Sequence, residues 1–521
     1  MLLLNFIKKN CFLACIALAL LILRFIFAQY SSSGPDQSYL QWLVSDYLAS
    51  GEIPLKGMGG SQGYHYGPFP LWVYLGIRFL FDHSISAAYG HIFFITLGIL
   101  FFSLAAKEFF GKVSATWVFF FFGCSAFYFF FTRAAWDNTF LFLTVSLSLF
   151  SFAKALVSKS HIWTLILGLT LSASLQVHLM SVSFVGITLG TFILRMGARK
   201  NFKSILLVSL VLVVTMIPYT LEFLRDLQAG QSSQAYGRVT PFKLAGDHIL
   251  RSTQLLSNWS FDSYFKVPQS IFSKILFRLD IWGHLLRLCF FYFAIKELFH
   301  FARKRKWSFE FFVSLQWFAG WIFLSMTGVP QYFHYHQAIS WTPVFLVAAI
   351  LGKVQTPMSY FLKAIVLLSL VSGTFVLGWM LRISHGNPGF RVQTLGVSFE
   401  DHRLLAKEAC RMIAQLKFSI PPAPEKATDK STDKSTVGKI IIDTRDLEFN
   451  FDSFFLFAKE LSDCPFQNVY VRGNHNYRGE RVVSNVAFRP QLSFIQSKND
   501  PIERCHLTVK QIVPAEILAC P

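Results

Sequence analysis

Apolar runs of about 20 residues recur along the first 380 positions of this chain, and a helix of that length just crosses ~30 Å of hydrocarbon. No other feature restricts the fold as strongly. Lipid offers peptide groups no water, so a run placed there must satisfy its own backbone hydrogen bonds, which makes these runs helices. Composition agrees: 53% of the residues are hydrophobic, 17% aromatic and 15% charged, against about 25% charged in an average soluble domain. The 59 phenylalanines exceed what one soluble core needs.

Eleven spans are expected, at 10–29, 87–106, 113–131, 139–157, 162–179, 180–194, 205–224, 284–302, 309–329, 338–351 and 360–381. The formal charge of +19 would suggest nucleic acid in a soluble protein. Here the basic residues cluster in short segments between apolar runs, the positive-inside pattern, and no nucleic-acid motif is present. With Lys8 and Lys9 inside, this count puts Lys107 and Lys112, Arg195 to Lys203, Arg303 to Lys306, and Lys353 in the cytoplasm. The segment Phe69–Phe81 is too short and carries Arg78; counting it as a span would move all four groups outside. Merging 162–194 into one helix would also flip the later groups. The run from Cys11 to Ala28 has Ile26 where signal cleavage wants a small residue, and is read as an uncleaved anchor.

The elaborated face is therefore the outer one, with long loops at 30–86 and 225–283, short loops near 132–138 and 330–337, and the region 382–521. Leu40, Leu43, Val44, Tyr47 and Leu48 repeat at helical spacing, with Gln37, Gln41, Ser45 and Asp46 off the stripe. That predicts an interfacial amphipathic helix, and Phe69–Phe81 a second. The C-terminal region reads as a small extracytoplasmic α/β domain: helical at 399–418 and 451–461, strand-like at Lys439–Asp443 and Asn468–Arg472, with a disordered insertion near 421–438. Four cysteines lie in apolar runs; Cys410, Cys464, Cys505 and Cys520 lie in the C-terminal region, where Cys464–Cys505 is the preferred pairing. No CxxC spacing suggests zinc.

Candidate chemistry gathers on that outer face. Asp36 follows the first span and begins the interfacial helix, where it can cap the helix or deprotonate an acceptor at the membrane surface. The loop from Thr132 to Asn138 holds Arg133 and Asp137, either as a local ion pair or as a phosphate-binding cation beside a supporting acid. His65 and Tyr66, Gln176 and His178, and His334 and His336 fall at three outer turns, a polar and aromatic mixture suited to sugar recognition. The two histidines at 334 and 336 lack helical metal-pair spacing, so no metal site is assigned.

The order of these pieces resembles the GT-C membrane glycosyltransferases, in the branch of protein O-mannosyltransferases and aminoarabinose transferases. GPDQSYLQWLVSDYLASGEIP looks like that family's first acidic loop, YHYGPFPLWVYLGIRFLF its His-Pro-Leu segment, TRAAWDNTFLFLTVSLSLFSFAKAL its second acidic loop, and SLQVHLMSVSF its Gln-x-His turn. The resemblance covers about residues 1–225. Gln37 stands where the family often has Glu, and Pro68 and Pro70 are separated by Phe69. The resemblance implies an α-helical polytopic membrane protein, with a GT-C-like catalytic domain at 1–381 and the extracytoplasmic domain at 382–521. It implies a hexosyl- or pentosyltransferase of a bacterial inner membrane, taking sugar from a polyprenyl-phosphate donor in the lipid to an extracytoplasmic acceptor. By the resemblance Asp36 would take the catalytic acidic position and serve as general base, Asp137 would be the second, supporting acidic residue, and a divalent cation is left open as cofactor. Two rival readings are weighed. A lipid-linked polysaccharide ligase or polymerase would rely on Arg238, Lys243, Arg251, Lys266 and Lys274 of the 225–283 loop. A transporter would need intramembrane charges and inverted halves, and neither pattern is evident.

Overall fold

In the computed structural model, the apolar runs are helices. The structure describes residues 11–28, 32–33, 35–59, 65–81, 84–197, 201–228, 246–256, 281–327, 333–353 and 357–386, and six short strands beyond residue 396. The chain divides into two units, one of 1–28, 53–76 and 88–382, the other of 29–52, 77–87 and 383–521.

The first unit is helical. Its main elements are α1 (Cys11–Ile26), α4 (Ser84–Phe110), α5 (Lys112–Cys124), α6 (Ala126–Phe131), α7 (Leu141–Ser158), α8 (His161–Val177), α9 (Val182–Met196), α10 (Phe202–Gln228), α11 (Gly246–Ser252), α12 (Ile281–Lys304), α13 (Phe309–Thr327), α14 (Gln337–Lys353) and α15 (Pro357–Gly386). A helix lies at each of the eleven expected spans, and among the described residues six are long and apolar enough to cross a membrane. The third span is interrupted: Ser125 is extended (φ −68°, ψ 114°), and its hydroxyl accepts from the Tyr128 amide, so one helix ends and α6 is capped afresh.

Burial separates the core helix from the rim. The Asn138–Ser158 span is 78% buried, whereas Phe202–Arg225 is 17% buried. On α10 the exposed positions Leu206, Leu210, Val213, Ile217 and Leu221 form one apolar stripe, as expected of a face turned to lipid. α7 packs on α8, α8 on α10, α5 on α14, and α13 on α14. Gly168 lets α8 approach α10, since a Cβ there would lie 3.0 Å from Val211 Cβ.

The second unit contains α2 (Pro35–Ser50), β1 (Ser32–Ser33) and β2 (Val397–Ser398), the last two paired antiparallel. On α2 the expected polar face is corrected. Gln37 and Gln41 are buried together with Leu40 and Val44, while Leu48 is exposed. Positions 37, 40, 41 and 44 share one helical face, so the stripe read from the leucines is rotated. The second expected interfacial helix is α3 (Phe69–Leu80), which is divided between the units. Its 12 residues are ~18 Å of helix, short of a full span.

The C-terminal part carries a five-stranded sheet in the order β5 (Ser493–Phe494), β4 (Val469–Arg472), β3 (Ile440–Asp443), β7 (Ala515–Ala519), β6 (Leu507–Val509). β3 pairs parallel with β4 and antiparallel with β7; Ile441 faces Tyr470 on one side and Leu518 on the other. An isoleucine run suits that central place, flanked on both edges. The expected helices at 399–418 and 451–461, the insertion near 421–438 and the four C-terminal cysteines lie outside the described residues.

Candidate active site

The loop joining α6 to α7 is pinned from below by α1. Arg24 Nη1 donates to Thr132 Oγ1 at 2.8 Å, and that hydroxyl donates to the Tyr128 carbonyl at 2.6 Å. The Arg24 guanidinium carbon lies 4.8 Å from the centre of the Phe129 ring. Arg133 approaches the same ring at 5.8 Å and that of Phe130 at 5.1 Å, within cation–π range. Its Nη2 donates to the Phe27 carbonyl at 3.4 Å. Burial, and then the neighbouring Arg24 charge, lowers Arg133 to about 9, so it stays charged at neutral pH. Asp137 is 1% exposed, and its Oδ1 accepts from the Asn138 amide at 2.7 Å, capping the short turn Asn138–Phe140.

A buried relay holds the far end of this loop. Thr139 Oγ1 lies 2.7 Å from the Trp136 carbonyl, to which it must donate, and 2.9 Å from His91 Nε2. The hydroxyl has one proton, so His91 donates from Nε2 and its Nδ1 accepts from Tyr74 Oη at 3.0 Å. Burial, and secondarily the Asp137 carboxylate, raises the Tyr74 phenol well above its usual value, so it remains a donor.

The three outer turns with histidines converge in part. The Gly67 amide donates to the Gln176 carbonyl at 2.8 Å, which seats Tyr66 and Gly67 on the last turn of α8. A Cβ at Gly67 would run into Gln176, so only glycine permits this approach. His178 Nδ1 accepts from the Met180 amide at 3.1 Å, leaving the proton on Nε2, 3.4 Å from Tyr66 Oη. The His178 ring lies 5.3 Å from Tyr335 and 6.2 Å from His334, and His334 lies 5.0 Å from Trp136 of the Arg133–Asp137 loop. Tyr66, His178, His334 and the acidic loop thus form one cluster. Burial lowers His178 to about 3; burial, then His178 and His336, lower His334 well below its usual value. Both rings are neutral donors and acceptors.

Other expected residues lie differently. The Gln176 amide nitrogen donates to Ser172 Oγ and the Thr215 carbonyl, both at 3.3 Å, and so ties α8 to α10. His65 is half-buried, and its carbonyl accepts from Tyr219 Oη at 3.0 Å. His336 turns to His248 of α11, with Nε2 and Nδ1 2.9 Å apart. Asp36 lies in the first turn of α2, in the second unit, where its backbone is helical. Of Arg238, Lys243, Arg251, Lys266 and Lys274, only Arg251 falls within the described residues. Among the described residues, no three His, Cys, Asp or Glu side chains are gathered so as to hold a metal ion. Arg24, His91, Tyr74 and His248 join these contacts without a motif of their own in the sequence. Arg24 did leave a signal, a lone cation in an otherwise apolar run.

No family model and no curated protein matches this sequence. Among solved structures, ArnT from Cupriavidus metallidurans in the apo state matches over 90% of this chain and 86% of its own, with a TM-score of 0.50 and 12% identity. The chain has the GT-C fold. ArnT bound to undecaprenyl phosphate matches over 79% of this chain and 73% of its own, with a TM-score of 0.46 and 15% identity. The Archaeoglobus fulgidus oligosaccharyltransferase in the apo form gives 0.42 and 11%, over 85% of this chain and 63% of its own.

Proposed function

We propose that this chain is a membrane glycosyltransferase that moves a hexosyl or pentosyl group from a polyprenyl-phosphate donor to an extracytoplasmic lipid, glycan or protein. The observation that carries this reading is the likeness to ArnT over nine-tenths of the chain. ArnT has also been solved with undecaprenyl phosphate, the donor chemistry proposed for this chain. The Arg133 loop supports it, because a guanidinium held charged among aromatic rings suits a phosphate at the membrane surface. In this reading all eleven helices span, residues 382–521 form an extracytoplasmic domain, and the protein sits in a bacterial inner membrane.

The proposed chemistry is one displacement. The Asp36 carboxylate takes the acceptor proton, and the acceptor atom forms its bond to the anomeric carbon. The bond from that carbon to the phosphate oxygen breaks, and the lipid phosphate leaves with its electron pair toward Arg133. Asp137 supports this arrangement through the loop it caps, and the displacement inverts the anomeric centre. Tyr66, His178 and His334 offer the sugar neutral hydrogen-bonding and ring surfaces. The test is incubation of purified protein with a panel of polyprenyl-phosphate sugars and a membrane extract as acceptor source. Release of lipid phosphate from one donor is the expected result; release from none, with folded protein present, rejects the reading.

A further inference from the structure

A cavity lies along the C-terminal half of α12, and no residue of the histidine cluster lines it. Its volume is about 940 Å³, and it is walled by α12, α14 and α15 and closed by the segment leading into α13. Its chemistry changes along its length. Leu288, which is exposed, and Phe293 line it along the middle of α12, together with Leu346 of α14; Lys296, His300 and Lys306 line the end toward the basic loop 303–306. From Leu288 to His300 is twelve residues, or ~18 Å of helix, close to half of a ~30 Å hydrocarbon core. The cavity therefore runs one leaflet deep, with its cationic end at the surface that the basic loops place inside.

The cationic end is open to an anion. Neither Lys296 nor Lys306 has a carboxylate at ion-pair distance among the described residues. Of the acids lining the cavity, Glu297 accepts from Ser308 Oγ at 3.4 Å and Glu310 is buried. The Lys296 ammonium lies 5.8 Å from the Phe293 ring centre, so its stem follows the apolar wall while its head reaches the polar end. Arg303, Lys304 and Arg305 are exposed just beyond. Juxtamembrane basic groups of this kind attract anionic headgroups, and an apolar slot beneath them accepts an acyl chain.

We propose that this cavity binds one anionic glycerophospholipid of the inner leaflet, its phosphate at Lys296 and Lys306 and an acyl chain along Leu288, Phe293 and Leu346. The site is independent of the sugar-transfer reading, since it shares no residue with it. Native mass spectrometry of the full-length, detergent-purified protein tests it, with phosphatidylglycerol or phosphatidylcholine of the same acyl chains added. One phosphatidylglycerol should be retained in preference to phosphatidylcholine. The double variant K296Q/K306Q should lower phosphatidylglycerol retention by about thirtyfold, the worth of two surface lysines, without changing that of phosphatidylcholine. Both lysines are exposed, so the fold should tolerate the change. Cys289 also lines the cavity and gives a readout free of variants. Phosphatidylglycerol, and not phosphatidylcholine, should slow its alkylation by N-ethylmaleimide, followed by peptide mass mapping. Equal retention of the two lipids, or retention unchanged in the double variant, or alkylation of Cys289 unaffected by phosphatidylglycerol, overturns the assignment.

Discussion

Asp36 lies within the first turn of α2, whereas Asp137 caps the turn Asn138–Phe140, so there a capping role has to be separated from a chemical one. Asparagine does that, because it caps nearly as well as aspartate and keeps the volume, yet its amide takes no proton. Asp36→Asn should express and fold normally and lose transfer by about 10²- to 10⁴-fold, the range for removing a general base. Turnover at matched amounts of folded protein reads this directly, and retention of most activity would defeat the proposed base. Asp137→Asn keeps an acceptor for the Asn138 amide, so a severe loss there reports the missing charge rather than an uncapped turn. The histidines make a separate prediction. Above pH 6.5 neither the folded nor the unfolded chain protonates His178 or His334. Below that pH the unfolded chain takes up protons that the buried rings refuse, down to about 3 for His178. Stability should therefore fall progressively from pH 6.5 toward 3 in thermal unfolding scans, and less steeply in His178→Gln. Tyr66, His178 and His334 were readable from the sequence because outer turns with polar rings are conspicuous between apolar runs. His91 was not, because a histidine inside a span shows nothing in the sequence of the Tyr74 and Thr139 hydroxyls that flank it.

Helices were legible wherever an apolar run had to satisfy its backbone in lipid, and illegible where a side chain took over that task. The Ser125 break is such a case: apolar residues on both sides hide a hydroxyl that replaces a backbone acceptor. The face of α2 is another, since counting leucines cannot reveal that Gln37 and Gln41 turn inward with Leu40. Gly67 allows the contact between the Tyr66 stretch of chain and α8 to be tested. Its amide bonds to the Gln176 carbonyl, and the Gly57 amide bonds to the Tyr66 carbonyl at 2.7 Å, so Gly57, Tyr66 and Gly67 are tied to the last turn of α8 by main-chain contacts. Gly67→Ala would force Cβ into Gln176. It should cost about 1–3 kcal/mol, as overpacking does, and should lower the unfolding temperature while weakening sugar transfer. An unchanged unfolding temperature would mean that the contact yields without cost.

At the scale of the whole molecule, the decisive quantity is the parity of the spans. The pairing of Ser32–Ser33 with Val397–Ser398 bears on it. The first of these strands follows the first span and the second follows the last, and two paired strands lie on one side of a membrane. An odd number of crossings, such as eleven, meets that requirement; ten or twelve would not. The positive-inside bias predicts which side, since it expects Lys107, Lys112, Arg195, the run Arg303 to Lys306 and Lys353 to face the cytoplasm. Substituted thiols test both inferences at once. In a variant freed of reactive native cysteines, a thiol at Ser431 should be labelled by an impermeant maleimide in intact cells. A thiol at Ser308, beside the basic run, should be labelled only after permeabilisation. Labelling of both from outside would break the parity argument. The reverse pattern would put Asp36, Arg133 and the histidine cluster on the cytoplasmic face, where the proposed extracytoplasmic acceptor could not reach them.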